Sequence, residues 1–273
     1  MGIIVRQGEK ESVFQAVDKK NNVVGTGWII PAAPSDIYTK PRLDVYMTIE
    51  IDAEENQLFI KDKIFETLLN KAYSIKKGNQ DKLVRVYHCC FSNARENIDY
   101  YQAKAGFRHD EGMYIIRKNL DQKLNELVET VGIKYQSLPL SSDAEILTLI
   151  DKHKTVFRNG YSIESINLLK QKTGWNSIAA IDDGEIIGNI MLFIEETPTR
   201  RIGWVEDLFV TKDWRNKGIA INLVNKGLRH FQDNSVEEVR IEVWSSNERA
   251  MSLYKQFGFE FYEETEVSIG IFL

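Results

Sequence analysis

Twice in this 273-residue chain an apolar, β-prone run leads into a polar Ser/Asn helix start, an aromatic-bearing helical stretch and a Gly-Phe pair. The first pass is residues 83–91, Ser92-Asn93 and Gly106-Phe107, and the second is residues 236–244, Ser246-Asn247 and Gly258-Phe259. The segments before them also correspond: 13–18, 23–30 and 43–51 echo 177–181, 186–194 and 204–210, with polar turns at Lys19-Lys20-Asn21-Asn22 and Asp182-Asp183-Gly184. Self-similarity on this scale constrains the fold more than any local propensity, because both passes must close the same kind of layered unit. The chain is long for one small α/β domain and comfortable for two.

Hydrophobic residues make up 43% and charged residues 27%, the balance of an ordinary globular protein. The formal charge of −5 argues against a partner bound through phosphate neutralisation, so no nucleic acid is expected. No apolar stretch is long enough for a bilayer, and residues 1–6 lack a secretory pattern; the expectation is a cytoplasmic protein with no membrane partner, monomeric or homodimeric. Cys89 and Cys90 are adjacent on an apolar run and point to opposite faces, which disfavours a disulfide between them. His88, His109, His153 and His230 show no metal-ligand spacing, and no metal site is expected.

The run from Trp204 to Phe231 reads as a strand, a basic glycine-bearing turn and an amphipathic helix. The first turn of a helix has main-chain N–H groups without internal partners and carries partial positive charge, so Arg215, Asn216, Lys217, Gly218, Ile219 and Ala220 form a candidate anion cradle in which Gly218 lets a ligand approach. Downstream, Ala250, Leu253, Tyr254 and Phe257 recur at helical spacing and the helix ends at Gly258.

The pattern Arg215-x-x-Gly218-x-Ala220 after Leu208-x-Val210, joined to Asn247, Tyr254 and Gly258-Phe259, resembles the GNAT acetyltransferase superfamily from Trp175 to the C terminus. The resemblance implies an α/β (α+β) fold of two tandem GNAT-like domains, each with a mixed, mostly antiparallel central sheet flanked by helices. It implies acetyl-CoA as cofactor, with the diphosphate on residues 215–220 and the pantetheine arm paired to Leu208, Phe209 and Val210. Glu206 is assigned amine deprotonation, since the segment looks like that of diamine and other small-amine acetyltransferases. By period-two alternation Glu206 shares a face with Leu208 and Val210 while Asp207 points away. A structural ion pair with Arg200 or Arg201 is the alternative for Glu206.

Tyr254 is assigned protonation of the coenzyme A thiolate, against a purely packed ring. Asn247 is assigned the pantetheine amide, against an N-cap. Lys212, Arg215 and Lys217 are phosphate partners or surface cations. The acceptor reads as the primary amine of a small cationic molecule such as a polyamine, a lysine-like amine or an aminoglycoside, because Glu195, Glu196, Glu206 and Asp207 cluster on or near the central strands. A longer acyl group, or an acyl-CoA sensor without turnover, are the competing readings.

The expected division is a degenerate GNAT-like domain over 1–120, a linker helix over 121–132 and a catalytic domain over 133–273, opening with a strand at 133–138 and helices at 141–153 and 162–172. The first half lacks two opening helices. It has no glycine in residues 52–60, places Asp52, Glu54 and Glu55 where a diphosphate needs positive potential, and sets Asn93 eight residues before Tyr101 where the second half has seven. It is therefore not expected to bind coenzyme A. The loop 31–41 is expected to be a surface excursion or a reach into the acceptor site.

Overall fold

The computed structural model describes residues 2–32, 41–120, 127–128, 130–157 and 160–273. Two compact units are present, one made of Met1–Gly112 with Thr265–Leu273 and the other of Met113–Glu264. The sequence division into halves had left each closing strand wholly in the half where it begins. The loop 33–40 and most of the expected linker helix lie outside the described residues; Leu127, Val128 and residues 130–132 are not helical.

In the first unit β1 (Ile4–Gln7) and β2 (Val13–Val17) open the chain, followed by β3 (Val23–Ala32), β4 (Arg42–Ile51), α1 (Gln57–Lys77), β5 (Leu83–Phe91), α2 (Arg95–Gln102) and the start of β6 (Arg108–Asn119). Strand order is β1-β2-β3-β4-β5, antiparallel except for the β4–β5 pair. Among the described residues no helix precedes α1, as the early strand-like sequence implied. Helix α1 buries Ile60, Ile64, Phe65, Leu68 and Ala72, a spacing of three and four residues that turns one apolar stripe to the sheet.

The second unit continues with β7 (Lys134–Ser137), α3 (Asp143–Lys154), α4 (Ile163–Leu169), β8 (Asn176–Asp182), β9 (Glu185–Glu196), β10 (Arg201–Val210), α5 (Ile219–Asp233), β11 (Glu238–Trp244), α6 (Glu248–Gln256) and the start of β12 (Glu260–Phe272). From Met113 onward β6 lies antiparallel to β11, and from Thr265 onward β12 lies antiparallel to β5 of the first unit. Pairing then runs β11-β10-β9-β8-β7, parallel between β10 and β11 and antiparallel elsewhere. Local sequence starts both opening helices. Ser142 accepts from the Glu145 N–H, Glu145 accepts from the Ser141 N–H, and Ser162 and Ser165 form a reciprocal capping box.

Two contacts fix α5, which carries the candidate anion cradle. Phe231, fully buried, lies against Gly203 of β10, where an added Cβ would stand 2.7 Å from its Cδ1. At the other end buried Asn222 accepts from the Val128 N–H and donates to the Val128 carbonyl, both at 2.8 Å, with the Tyr135 hydroxyl at 3.1 Å. No helix is long and apolar enough to cross a membrane among the described residues.

Gly203→Ala forces a ring that cannot retreat and is expected to cost about 1–3 kcal/mol, read from the urea midpoint. Asn222→Ala strands the Val128 amide groups and is expected to cost a similar 1–3 kcal/mol or so, with faster hydrogen exchange at the Val128 amide as its local signature.

Candidate active site

The β10–β11 pair holds its parallel register from Ile202↔Glu238 to Val205↔Ile241 and stops there, although β10 continues to Val210 and β11 to Trp244. The other edge of β10 stays paired with β9 as far as Val210↔Gly188, across a bulge between Val205 and Asp207. An extra residue on one strand bends it and increases its twist. Beyond the bulge, Leu208, Phe209 and Val210 have no strand pairing on the β11 side. Such an edge accepts an extended ligand as an additional strand.

The bulge also resets the faces that alternation had assigned. Val205, Leu208 and Val210 pack with α5, whereas Phe209 packs with α3 and α4. Asp207 does not point away from Glu206. Its carboxylate lies 3.1 Å from Nε2 of His153 on α3, while Glu206 lies 3.5 Å from the Tyr161 hydroxyl just before α4 and 3.8 Å from Lys172 just after it. Both carboxylates therefore face the α3/α4 side, opposite Leu208 and Val210. The inserted residue is the physical reason that a strict period of two fails at this strand.

Glu206 is half-buried in a cavity of about 740 Å³ also lined by Met113, Lys172, Phe193, Glu195, Trp204 and Glu242. Phe193 and Trp204 stack with planes 11° apart, and the indole N–H donates to Glu195 at 2.7 Å. Burial raises the Glu206 carboxyl above the ordinary glutamate range; the Lys172 ammonium opposes the shift and the Asp207 charge adds to it. The alternative ion pair of Glu206 with Arg200 or Arg201 does not form: Arg200 meets Glu238 and Arg201 meets Glu196. Of the four acids read as candidates for an acceptor site, Glu195 and Glu206 line this cavity, where Glu242 joins them, while Asp207 meets His153 and Glu196 meets Arg201. Glu242, Lys172, Phe193, Trp204 and Tyr161 were missed. The i, i+2 spacing of Trp204 and Glu206 on one strand was the available signal.

At the start of α5, Asn216 and Gly218 both adopt left-handed backbone, φ 60° and 80°, so the main chain curls around Lys217, and no side chain caps the helix. This concave, uncapped start suits an anion. The glycine has a packing and a conformational role besides the ligand approach read from the sequence. A Cβ at Gly218 would stand 3.0 Å from the Val128 side chain, so its left-handed conformation and this packing both favour glycine. Arg215 donates from Nε to the Val210 carbonyl at 3.2 Å, tying the loop to the end of β10, and Lys217 rests over the Trp214 ring at 4.5 Å. Lys212 lines a separate cavity with Lys152 and Glu185.

Tyr254 is buried on α6. Burial, then the Asp207 charge, pushes its pKa well up, so it holds its proton. Asn247 is the N-cap of α6 and accepts from the Ala250 N–H at 3.2 Å, which leaves its amide N–H groups as donors.

The first unit carries the same fork with a different filling. β4 and β5 pair from Arg42↔Leu83 to Tyr46↔Tyr87 and then part. His88 donates from Nδ1 to the Met47 carbonyl at 3.0 Å, and its ring stacks on Tyr101 at 4.1 Å and Tyr46 at 6.1 Å. Past the last paired residues the first unit has Met47 and His88 where the second has Glu206 and Glu242. The tyrosine expected to be out of phase is in phase: α2 is capped by Ala94 and α6 by Asn247, each seven residues before its tyrosine. What the first unit lost is the capping side chain.

Residues 144–259 match the acetyltransferase (GNAT) family. Relatives include N-alpha-acetyltransferase MAK3 of Arabidopsis thaliana, 31% identical over 80 residues (29% of this chain, 42% of that protein). Another is L-amino acid N-acetyltransferase AaaT of Escherichia coli (strain K12), 28% identical over 96 residues (34% and 57%). The chain spans about half the length of the relatives it matches. A GCN5-related N-acetyltransferase from Sphaerobacter thermophilus shares the fold over 96% of this chain and 80% of its own, with a TM-score of 0.52 at 16% identity. Both units are GNAT-like in fold, and residues 144–259 of the second match the acetyltransferase (GNAT) family.

Proposed function

We propose that the second unit is an acetyl-CoA-dependent N-acyltransferase that modifies the primary amine of a small cationic acceptor. The observation that carries this reading is the continuity of the open β10 edge at Leu208–Val210 with the uncapped start of α5, with Glu206 at the mouth of the fork.

The residues present fit the cofactor. The main chain of Leu208, Phe209 and Val210 would pair with the pantetheine arm, and the N–H groups of residues 216–220 would hold the diphosphate beside Arg215 and Lys217. Asn247, already a cap, keeps N–H donors for the pantetheine amide. When bound, acetyl-CoA supplies an activated acyl group. The chain must then deprotonate the amine and protonate the departing sulfur. A primary ammonium with a pKa near 10.4 cannot attack, so Glu206, raised by burial and thereby a better proton acceptor, removes its proton. Tyr254, kept protonated by its buried position, is the proton source for the thiolate. The stacked Phe193 and Trp204 rings with Glu195, Glu206 and Glu242 suit a cation that carries some apolar length.

Thiol release with acetyl-CoA across polyamines, lysine-like amines, aminoglycosides, peptide N termini and acidic amino acids tests the assignment. Turnover confined to acidic amino acids would overturn the acceptor class. The acid limb of kcat/KM should lie above the ordinary glutamate value of about 4.3, with rate lost as pH falls through it, and Glu206→Gln should remove that limb and lower kcat by about 10²–10⁴-fold. Tyr254→Phe should lower kcat with near-normal cofactor affinity; an acyl-CoA sensor would show no turnover to lose. Because the His88–Tyr101 stack fills the first fork, calorimetric titration should find a single coenzyme A site per chain.

A further inference from the structure

Lys172 lies in the turn after α4. Its N–H donates to the Leu169 carbonyl, its own carbonyl accepts from Trp175, and the Thr173 carbonyl accepts from the Ile194 N–H at 2.7 Å, so the turn is pinned to β9. The backbone is thus fixed while the four-carbon arm, 42% exposed, enters the cavity. Its Nζ stands 3.8 Å from Oε2 of Glu206 and 3.5 Å from the centre of the Phe193 ring.

A primary amine belonging to the chain itself thus stands in the cavity where the proposed acceptor would lie. It sits beside the carboxylate assigned as base, over an aromatic face, at the mouth of the open fork. We propose that Lys172 is a self-acetylation site, modified by the active site it lines. The inference rests on the transferase reading above.

The step balances without an oxidant or further reactant. Glu206 takes a proton from the Lys172 ammonium, and the freed nitrogen lone pair forms an N–C bond to the acyl carbon of acetyl-CoA. The C–S bond breaks, and the sulfur keeps its electron pair and receives a proton from Tyr254. The new amide nitrogen sheds its second proton, which restores Tyr254, and the proton on Glu206 passes to solvent. The products are Nε-acetyl-Lys172 and the coenzyme A thiol.

Holding an amine against its base converts a bimolecular encounter into a unimolecular one, which separates Lys172 from lysines that meet acetyl-CoA only by collision. Acetylation also deletes the cation that sits on Phe193 and Glu206. Both are then left to an incoming ammonium.

The test incubates the full-length protein with acetyl-CoA over a protein dilution series and maps acetyl groups by peptide mass spectrometry. Thiol release with the amine panel and a thermal-shift titration with coenzyme A run in parallel. Lys172 should be the dominant modified residue, with a first-order rate independent of protein concentration. Glu206→Gln and Tyr254→Phe should each slow it by about 100-fold while the coenzyme A thermal shift persists, and Lys172→Arg should remove that peptide's label. The inference is overturned if Lys172 labels no faster than surface lysines, or equally fast in Glu206→Gln. Unmodified Lys172 alongside turnover of added amines would overturn it and leave the transferase reading standing. Absence of both turnover and a coenzyme A thermal shift would defeat the two together.

Discussion

The second unit is organised by the parting of β10 from β11 after Val205. Parallel strands need a crossover between them, and here α5 supplies it, packed on the sheet through Leu223, Val224, Leu228 and Phe231. The bulge after Val205 bends β10 off its partner just before the chain turns into that crossover. An open main-chain edge and an uncapped helix start therefore arise from one geometric event and follow each other along the chain. Glu206 is the extra residue of the bulge, so the same event sets the carboxylate at the mouth of the opening.

The two units show how one architecture can keep or lose a ligand site without changing its strand plan. Both have a parallel pair that opens after a few residues, both start the following helix from a left-handed residue, Asn56 or Gly218, and both set a tyrosine seven residues past a helix cap. In the first unit the opening is closed by a buried imidazole held between Tyr46 and Tyr101 and bonded to the Met47 carbonyl, the kind of main-chain acceptor that an added strand would use. Burial lowers the His88 pKa, which favours the neutral ring that such packing needs. In the second unit carboxylates and an indole line the opening instead. They are too polar to collapse on one another, and the cavity stays open.

Electrostatics in that cavity is a balance of opposed effects. Desolvation raises Glu206, and the nearby Asp207 and Glu242 charges push it the same way, while Lys172 and the Tyr161 hydroxyl pull it down. The cationic arm of Lys172 keeps three glutamates in one cavity from repelling freely. An ammonium-bearing ligand would perform the same service, which is why lining and acceptor class belong to one argument.

The sequence alone determined the duplicated unit, the order of strands and helices, the capping of both opening helices in the second unit, the lack of a helix before α1 among the described residues and the likeness of the second unit to the GNAT family. These are local or periodic properties: cap chemistry, apolar spacing and a glycine-bearing turn act over a few residues. Only the tertiary structure decided which residues face which. One bulge residue reversed the assignment of Asp207 and moved Glu206 to the α3/α4 side, and Val128, distant in sequence, packs where a side chain at Gly218 would stand. Lys172, Phe193, Trp204 and Glu242 stand on three different strands and a turn, and nothing in their local sequence marks them as neighbours. Their meeting is set by register and by the divergence of β10 from β11, quantities that depend on the whole sheet rather than on any one of its strands.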